Sequence, residues 1–252
     1  MKYLISILVL FLGFLAAAQE PLSPDVPLDK LSSWLNDWPR RAEELRKLDP
    51  SKAGSIPDNL MVNLISWLDT DSDYADRYAQ LTGRSLGEGF GDYYVTLAVI
   101  VAKTHDPRAA RALSKAVQVG TVVAEALERY GDEGADSLLS RLNNPNTRVS
   151  VLFTLGRFIE ARQSGRTVIS DNIVARIKDA SLAATSDQSG PARMAAIRVL
   201  EYFDPDERII RVLTQIASSD SFEVLRTSKE NRTEKVYPVR ALAAGVLRKF
   251  GR

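Results

Sequence analysis

Cysteine is absent from this chain, and histidine occurs only once, at His105. The absence of cysteine excludes disulfides, thiol nucleophiles, iron–sulfur clusters and cysteine zinc sites. One imidazole cannot form a multi-histidine metal centre and the chain has no recognisable cofactor motif, so we expect neither a metal nor a cofactor. The 33 basic residues are balanced by 32 acidic ones. No broad positive field therefore points to nucleic acid or to an anionic membrane as a partner.

The first residues have the pattern of a secretory signal. A positive start at Met1-Lys2 is followed by a nearly continuous apolar run from Tyr3 to Leu15 and by alanines at 16–18. This pattern predicts cleavage after residue 18. An uncleaved anchor is the alternative, although the apolar run is shorter than the roughly 20 residues of a spanning helix. We expect a periplasmic or secreted protein with no membrane insertion after signal cleavage.

Prolines divide the next segment, 19–91, because six of the 11 in the chain lie between residues 20 and 58. Proline disfavours helix interiors, so this distribution predicts short helices separated by turns. The expected helices are 28–38, 39–48 beginning at Pro39, 57–68, and 74–81 with Asp71 or Asp73 as its cap.

From residue 92 onward, apolar residues recur at helical spacing with almost no strand-like alternation. The predicted helices are 93–103, 108–119, 122–130, 134–142, 148–160, 173–184, 192–203, 207–218 and 239–250. Three of them contain a signature of Arg, a Leu seven residues later and a Phe three residues after that. The three copies start at Arg148, Arg193 and Arg240.

The segments 106–113, 143–156, 191–200 and 237–247 resemble HEAT-like helical repeats of the bacterial PBS-lyase type, and the resemblance covers about residues 93–250. It departs from the family pattern through insertions at 163–169 and 218–236. The expected fold is all-α: an α-solenoid of HEAT-like helical hairpins at 92–252, preceded by an N-terminal helical cap at 19–91 and the signal at 1–18. Stacked hairpins of this kind bury one continuous core.

The repeated arginines Arg148, Arg193 and Arg240 have two interpretations. A row of guanidinium groups along a groove can hold carboxylates or phosphates of a ligand. Alternatively, each arginine bonds an acidic or carbonyl group in a neighbouring turn, and Asp187 and Glu234 lie six residues before Arg193 and Arg240. HEAT-like families contain Asp–Arg ladders between repeats, so the resemblance implies the structural role.

The insertion at 218–236 is the first binding candidate because it is long for a connection between packed helices and rich in charge. Insertions in repeat proteins often lie on one face and bind a partner, although a filler loop is the alternative. Its candidate binding residues are Phe222, Arg226, Lys229, Arg232 and Lys235.

Two further groups of residues invite site hypotheses. His105 is a candidate general base, but it aligns with the aromatic position of the repeats, which favours a packing role. The tryptophans at 34, 38 and 67 either line a partner groove or cover the first apolar face of the stack.

Two motifs resemble ligand loops only in part. The sequence from Asp69 to Asp73 starts like a calcium loop, but Tyr74 replaces the required glycine and Gln80 the final glutamate, so capping and a solvated loop are the simpler interpretation. The glycines between Gly87 and Gly91 suggest a phosphate loop, yet no strand precedes them, which favours an ordinary loop between helices.

These features predict an exported, non-enzymatic protein that binds or scaffolds a protein partner of unknown identity. The alternative is a hydrolase or lyase on a helical array. It would use paired carboxylates as acid and base, either among Asp69, Asp71 and Asp73 or from Glu88 and Asp92.

Overall fold

The computed structural model describes residues 27–48, 50–227 and 233–252, and this part of the chain is mostly helical. The predicted signal lies outside the described residues. The α-helices are α1 (Leu28–Leu45), α2 (Asp58–Thr82), α3 (Glu88–Thr104), α4 (Ala110–Lys115), α5 (Thr121–Arg129), α6 (Asp132–Leu139), α7 (Arg148–Gln163), α8 (Asp171–Ala184), α9 (Gly190–Leu200), α10 (Glu207–Ser219) and α11 (Pro238–Lys249). Short 3-10 turns occupy Pro50–Ser55, Pro107–Ala109 and Val117–Val119. The all-α expectation is confirmed.

The first two helices are longer than the sequence predicts. Residues 28–38 and 39–48 were expected as separate helices, yet α1 runs from Leu28 to Leu45 with Pro39 inside it. Proline removes one backbone hydrogen bond and strains the preceding turn, but tertiary contacts on both sides of it hold this helix together. Trp34 and Trp38 both pack edge-on against Phe90 of α3.

Helix α2 likewise replaces two predicted helices, because it continues without a break from Asp58 to Thr82. Asp71 and Asp73 were expected to cap a new helix at Tyr74, and that prediction is wrong. Both lie in the middle of α2, where partners on other helices satisfy their carboxylates. The helix ends at Gly83, whose positive φ of 66° suits a left-handed C-cap.

The helices from α2 onward contact one another in two rows. In one row α2 packs on α4, α4 on α6 and α6 on α8; in the other, α3 packs on α5, α5 on α7, α7 on α9 and α9 on α11. Successive helices also pair across the rows, most extensively α8 with α9 and α10 with α11.

One apolar core runs through most of this arrangement. It extends from Leu31 in α1 to Val199 in α9, and a second cluster continues from Leu182 to Val246. The expected boundary between residues 91 and 92 falls inside α3, which starts at Glu88. Within the described residues, no helix is both long and apolar enough to cross a bilayer.

The only strands among the described residues lie in the insertion between α10 and α11. Strand β1 (Val224–Thr227) pairs antiparallel with β2 (Thr233–Val236), and Val224 stands opposite Val236 at the base of the hairpin. The sequence analysis did not predict this hairpin. Its four-residue strands are too short to give a clear alternating pattern, and both of their faces are exposed.

Candidate functional site

A chain of arginine contacts links successive connections between helix pairs. Arg148, the first residue of α7, donates from Nε to the carbonyl oxygen of Leu142 at 2.6 Å, six residues back. Its Nη1 pairs with the carboxylate of Asp187, which lies in the connection between α8 and α9. One side chain thus ties its own connection to the following one.

Arg193 in α9 repeats both contacts. Its Nη1 donates to the carbonyl oxygen of Asp187 at 2.7 Å, again six residues back. Its Nε and Nη2 donate to the two carboxylate oxygens of Asp220 at 2.7 and 3.0 Å, forming a bidentate pair. Burial tends to raise the pKa of Asp220, but the hydrogen bonds from Arg193 and the Phe222 amide lower it below its ordinary value.

Arg240 in α11 makes only the first of these contacts. Its Nε donates to the carbonyl oxygen of Asp220, which lies 20 residues back rather than six. The hairpin is thus inserted between α10 and α11, and the backbone contact of the signature arginine is kept. Glu234, the expected acidic neighbour of Arg240, lies in β2 instead. The guanidinium of Arg240 also stacks on the Tyr237 ring, 4.2 Å from its centre.

The base of the hairpin is fixed to the preceding helix pair. Phe222 is half-buried, and its ring lies against Gly190 so closely that a Cβ on Gly190 would meet Cγ of the ring at 2.4 Å. The guanidinium carbon of Arg193 also lies 6.0 Å from the centre of the Phe222 ring. Phe222, one of the predicted binding residues, is therefore half-buried and packs at the base of the hairpin.

Beyond its base the hairpin is exposed. Leu225 is 69% exposed and Val224 40%. Arg226 is exposed opposite Glu234, and Lys235 pairs with Glu223 at 2.9 Å. The other two predicted binding residues, Lys229 and Arg232, lie outside the described residues.

A second polar cluster, centred on Asp71, joins the first three helices. Asp71 is fully buried, and its carboxylate accepts hydrogen bonds from Trp34 Nε1 at 2.7 Å, Tyr93 Oη at 2.6 Å and Arg41 Nη1 at 3.1 Å. Arg41 also donates from Nε to Asp37 at 2.7 Å. The donors come from α1 and α3, so this one carboxylate fastens both helices to α2.

The protonation states in the Asp71 cluster follow from its burial. Burial raises the pKa of Asp71, although the hydrogen bonds from Tyr93 and Trp34 and the charge of Arg41 oppose this. Burial beside Asp71 also raises the pKa of Tyr93, which keeps this phenol protonated as a donor. Partial burial tends to raise the pKa of Asp37, but side-chain hydrogen bonds from Arg41 and Arg40 hold this pKa below its usual range.

Asp69 and Asp73 lie on the opposite side of α2 from Asp71. The Lys115 side chain is only 5% exposed, and its ammonium reaches Asp73 at 2.7 Å and Asp69 at 3.0 Å. Burial and the charge of Asp73 raise the pKa of nearby Asp76. Residues 69–73, interpreted from sequence as capping residues in a solvated loop, instead form part of an ion-paired helix. The described residues contain no group of three metal-ligating side chains.

His105 occupies a different environment from the one predicted. It is exposed and has a left-handed backbone with φ of 57°, as the C-cap of α3, so it does not pack in the core. Its ring lies against the guanidinium of Arg129. Burial, followed by the charge of Arg129, lowers the pKa of His105. Phe158, at the aromatic position of the signature, is fully buried, whereas His105, at the position aligned with it, is exposed.

The aromatic residues of the first helices pack mainly on one another. Trp34 is 3% exposed and stacks on Tyr74 with ring centres 5.2 Å apart, while Trp67 lies beneath Arg41 at 5.1 Å. The glycine segment 87–91, expected as a loop, instead forms the N-cap and first turn of α3.

Two shallow clefts open in this N-terminal part. One, of about 460 Å³, lies over the Asp71 cluster, where Trp34, Asp37, Arg41 and Tyr74 contribute to its walls. The other, of about 410 Å³, is lined in part by Asp58, Asp106 and Arg108. In the second cleft Arg108 bridges Asp58 at 2.6 Å and Asp106 at 2.5 Å. The principal charged groups in both clefts are therefore paired with one another.

Comparison of the chain with known protein families, curated proteins and solved structures finds no match.

Proposed function

We propose that this protein is an exported, non-enzymatic HEAT-like repeat scaffold whose hairpin binds a protein partner. The observation that carries this proposal is the hairpin itself. Its two strands lie exposed between Asp220 and Arg240. Arg193 still bonds the Asp220 carboxylate, and Arg240 still bonds the Asp220 carbonyl oxygen. An insertion that leaves the surrounding packing in place is free to serve recognition.

The repeat assignment is supported by the two-row packing and by the equivalent contacts of Arg148 and Arg193. Each bonds a carbonyl six residues back and a carboxylate in the next connection. Such repetition is expected of stacked helical hairpins that share nearest-neighbour interfaces. Export is supported by the signal pattern at residues 1–18.

Protein binding is supported by the composition of the hairpin. Exposed Leu225 and Val224 provide apolar contact area, and charged Arg226, Glu234 and Lys235 surround them. Interfaces commonly combine an apolar centre with a polar rim. The anchored base limits the freedom of the hairpin, so less conformational entropy is lost when a partner binds.

The alternative of a hydrolase or lyase requires two carboxylates that face one cleft. Asp71 is bonded to α1 and α3, whereas Asp69 and Asp73 pair with Lys115 on the other side of α2. Glu88 and Asp92 are exposed on the first turn of α3. None of these observations favours the alternative.

The test is to replace residues 225–235 with Asn-Gly, so that a tight turn joins the paired Val224 and Val236. Phe222, Asp220 and Tyr237 remain, so the anchored base and the arginine contacts are kept. We expect the helical circular dichroism and thermal midpoint to stay close to wild type, while capture of the partner from the native envelope falls at least tenfold.

A matched control is Val168→Asn in the connection between α7 and α8, because Val168 is the most exposed large apolar residue described, at 87%. This substitution should leave capture unchanged. Equal capture by wild type and by the Asn-Gly variant would remove the hairpin from the proposed function.

A further inference from the structure

One edge of the hairpin is formed by the backbone of strand β1. Every residue of β1 is exposed, and the strand that pairs with it among the described residues is β2. In an antiparallel pair, alternate residues direct their N–H and C=O groups away from the partner strand. Within the described part of the chain, no backbone hydrogen bond joins β1 to any element other than β2. The outward N–H and C=O groups of β1 are therefore available to a further strand.

The two edges of the hairpin differ in their side chains. The middle of β2 consists of Glu234 and Lys235, and charged side chains, lysine above all, protect a strand edge against further pairing. Strand β1 has a single charged residue, Arg226, which follows Val224 and Leu225. Of the two edges, that of β1 is therefore the less protected one.

The two faces of the hairpin differ as well. Residues that stand opposite each other share a face, so Val224 lies with half-buried Val236 and Leu225 lies with exposed Lys235. A strand added beside β1 would place one of its side chains next to Leu225, which is 69% exposed. An apolar side chain there would remove the apolar surface of Leu225 from water.

We infer that β1 binds an extended segment of the protein partner as a third strand, an inference that rests on the proposed function. The backbone of the segment would pair with the outward groups of β1, and an apolar side chain would cover Leu225. A helical segment could not pair in this way, because its own backbone groups are already bonded to one another. The contact of Phe222 with Gly190 fixes the base of the hairpin, so less freedom is lost when the strand is added.

Photo-crosslinking in the native host identifies the segment. A photoreactive amino acid replaces exposed Thr227 in β1, and a control chain carries it at Val168, which is 87% exposed. After irradiation, mass spectrometry identifies the crosslinked peptide. We expect position 227 to crosslink to a segment of another protein and position 168 to give no such product. Crosslinking of position 227 to a second copy of this chain would overturn the inference.

A backbone N-methyl scan then tests strand pairing. The crosslinked segment is synthesised as a peptide, and each variant carries a methyl group on one backbone nitrogen, which removes one donor. In an added strand only every second N–H faces β1. We therefore expect N-methylation at alternate residues to weaken binding about tenfold or more, and at the residues between them less than about threefold. Effects without this alternation would overturn the inference.

Amide hydrogen exchange on the wild-type chain shows which strand the unmodified peptide covers. We expect the peptide to slow exchange at alternate amides of β1 by about tenfold or more, because these amides become hydrogen-bonded. The outward amides of β2 are the internal control and should exchange at the same rate with and without the peptide. Slower exchange along β2 instead of β1 would contradict the inference.

The outcomes separate this inference from the proposed function. If the peptide no longer binds the variant with residues 225–235 replaced by Asn-Gly, yet the N-methyl scan shows no alternation, the hairpin binds the partner and strand addition alone fails. A lack of any crosslink from position 227, with capture that still depends on the hairpin, has the same meaning. If the wild-type chain captures no protein, the proposed function fails and strand addition fails with it.

Discussion

The contact between Gly190 and Phe222 gives a sharp test of how the hairpin is anchored. In Gly190→Ala the new Cβ would lie 2.4–2.6 Å from three atoms of the Phe222 ring, so the ring must move. Overpacking of this kind costs about 1–3 kcal/mol, and the better helix propensity of alanine offsets about 0.5–1 kcal/mol. We expect a net loss of about 1–2 kcal/mol in the free energy of unfolding.

A double-mutant cycle separates this steric effect from any other effect of the substitution. In a Phe222→Ala background the obstructing ring is gone, so Gly190→Ala should become neutral or stabilising by up to about 1 kcal/mol. Gly245→Ala is the matched control, because its Cβ would approach no atom closer than 3.9 Å. Denaturant unfolding of each variant gives the free energies. The same cost for Gly190→Ala with and without Phe222 would refute the reasoning.

Three further predictions concern polar groups. Asp71→Asn should lower the free energy of unfolding in denaturant titrations by about 3–5 kcal/mol, because three donors lose their charged acceptor. The exposed control Asp92→Asn should change it by less than about 0.5 kcal/mol. The pKa of Asp220 is lowered in the folded protein, so its pairing with Arg193 stabilises the fold fully above pH 3.8 and is lost as the pH falls towards the folded-state pKa. The difference in the free energy of unfolding between wild type and Asp220→Asn should therefore shrink on acidification. A difference that does not depend on pH would contradict this. Lys115→Met should destabilise the protein by at least about 1–3 kcal/mol in the same titrations, because two half-buried carboxylates lose their cation, and an unchanged midpoint would show that this pairing contributes little.

The bounds of two helices were predicted well from sequence. The expected segments 148–160 and 207–218 agree closely with α7 (Arg148–Gln163) and α10 (Glu207–Ser219). The cap of α10 is Asp206, which accepts from the amide of Ile209. Periodicity and capping act within a few residues, so one sequence contains the needed information.

The misses depend on contacts that are distant in sequence. Pro39 suggested a helix boundary, but Trp34 and Trp38 before it pack on Phe90 and Ala42 and Leu45 after it are buried, which keeps α1 continuous. Asp71 resembled a capping residue because nothing local reveals its partners, which lie 37 residues before it and 22 after it. The available signal was spacing: Asp71 continues the buried series Met61, Leu64 and Leu68 when residues 58–82 are treated as one helix.

The candidate site was predicted only in outline. Charge and length identified the insertion, but they could not separate the anchor Phe222 from the exposed Leu225, because that distinction depends on the contact with Gly190. The carboxylate partners of the signature arginines were likewise missed, since Arg193 bonds the backbone of Asp187 and the side chain of Asp220.

The most direct test of the binding role is the equilibrium dissociation constant between the purified partner and two forms of this chain. One form is wild type, and the other has residues 225–235 replaced by Asn-Gly. A hairpin that recognises the partner predicts at least tenfold weaker binding by the replaced form, with the same thermal midpoint for both proteins. Equal dissociation constants would contradict the proposal that this protein binds its partner through the hairpin.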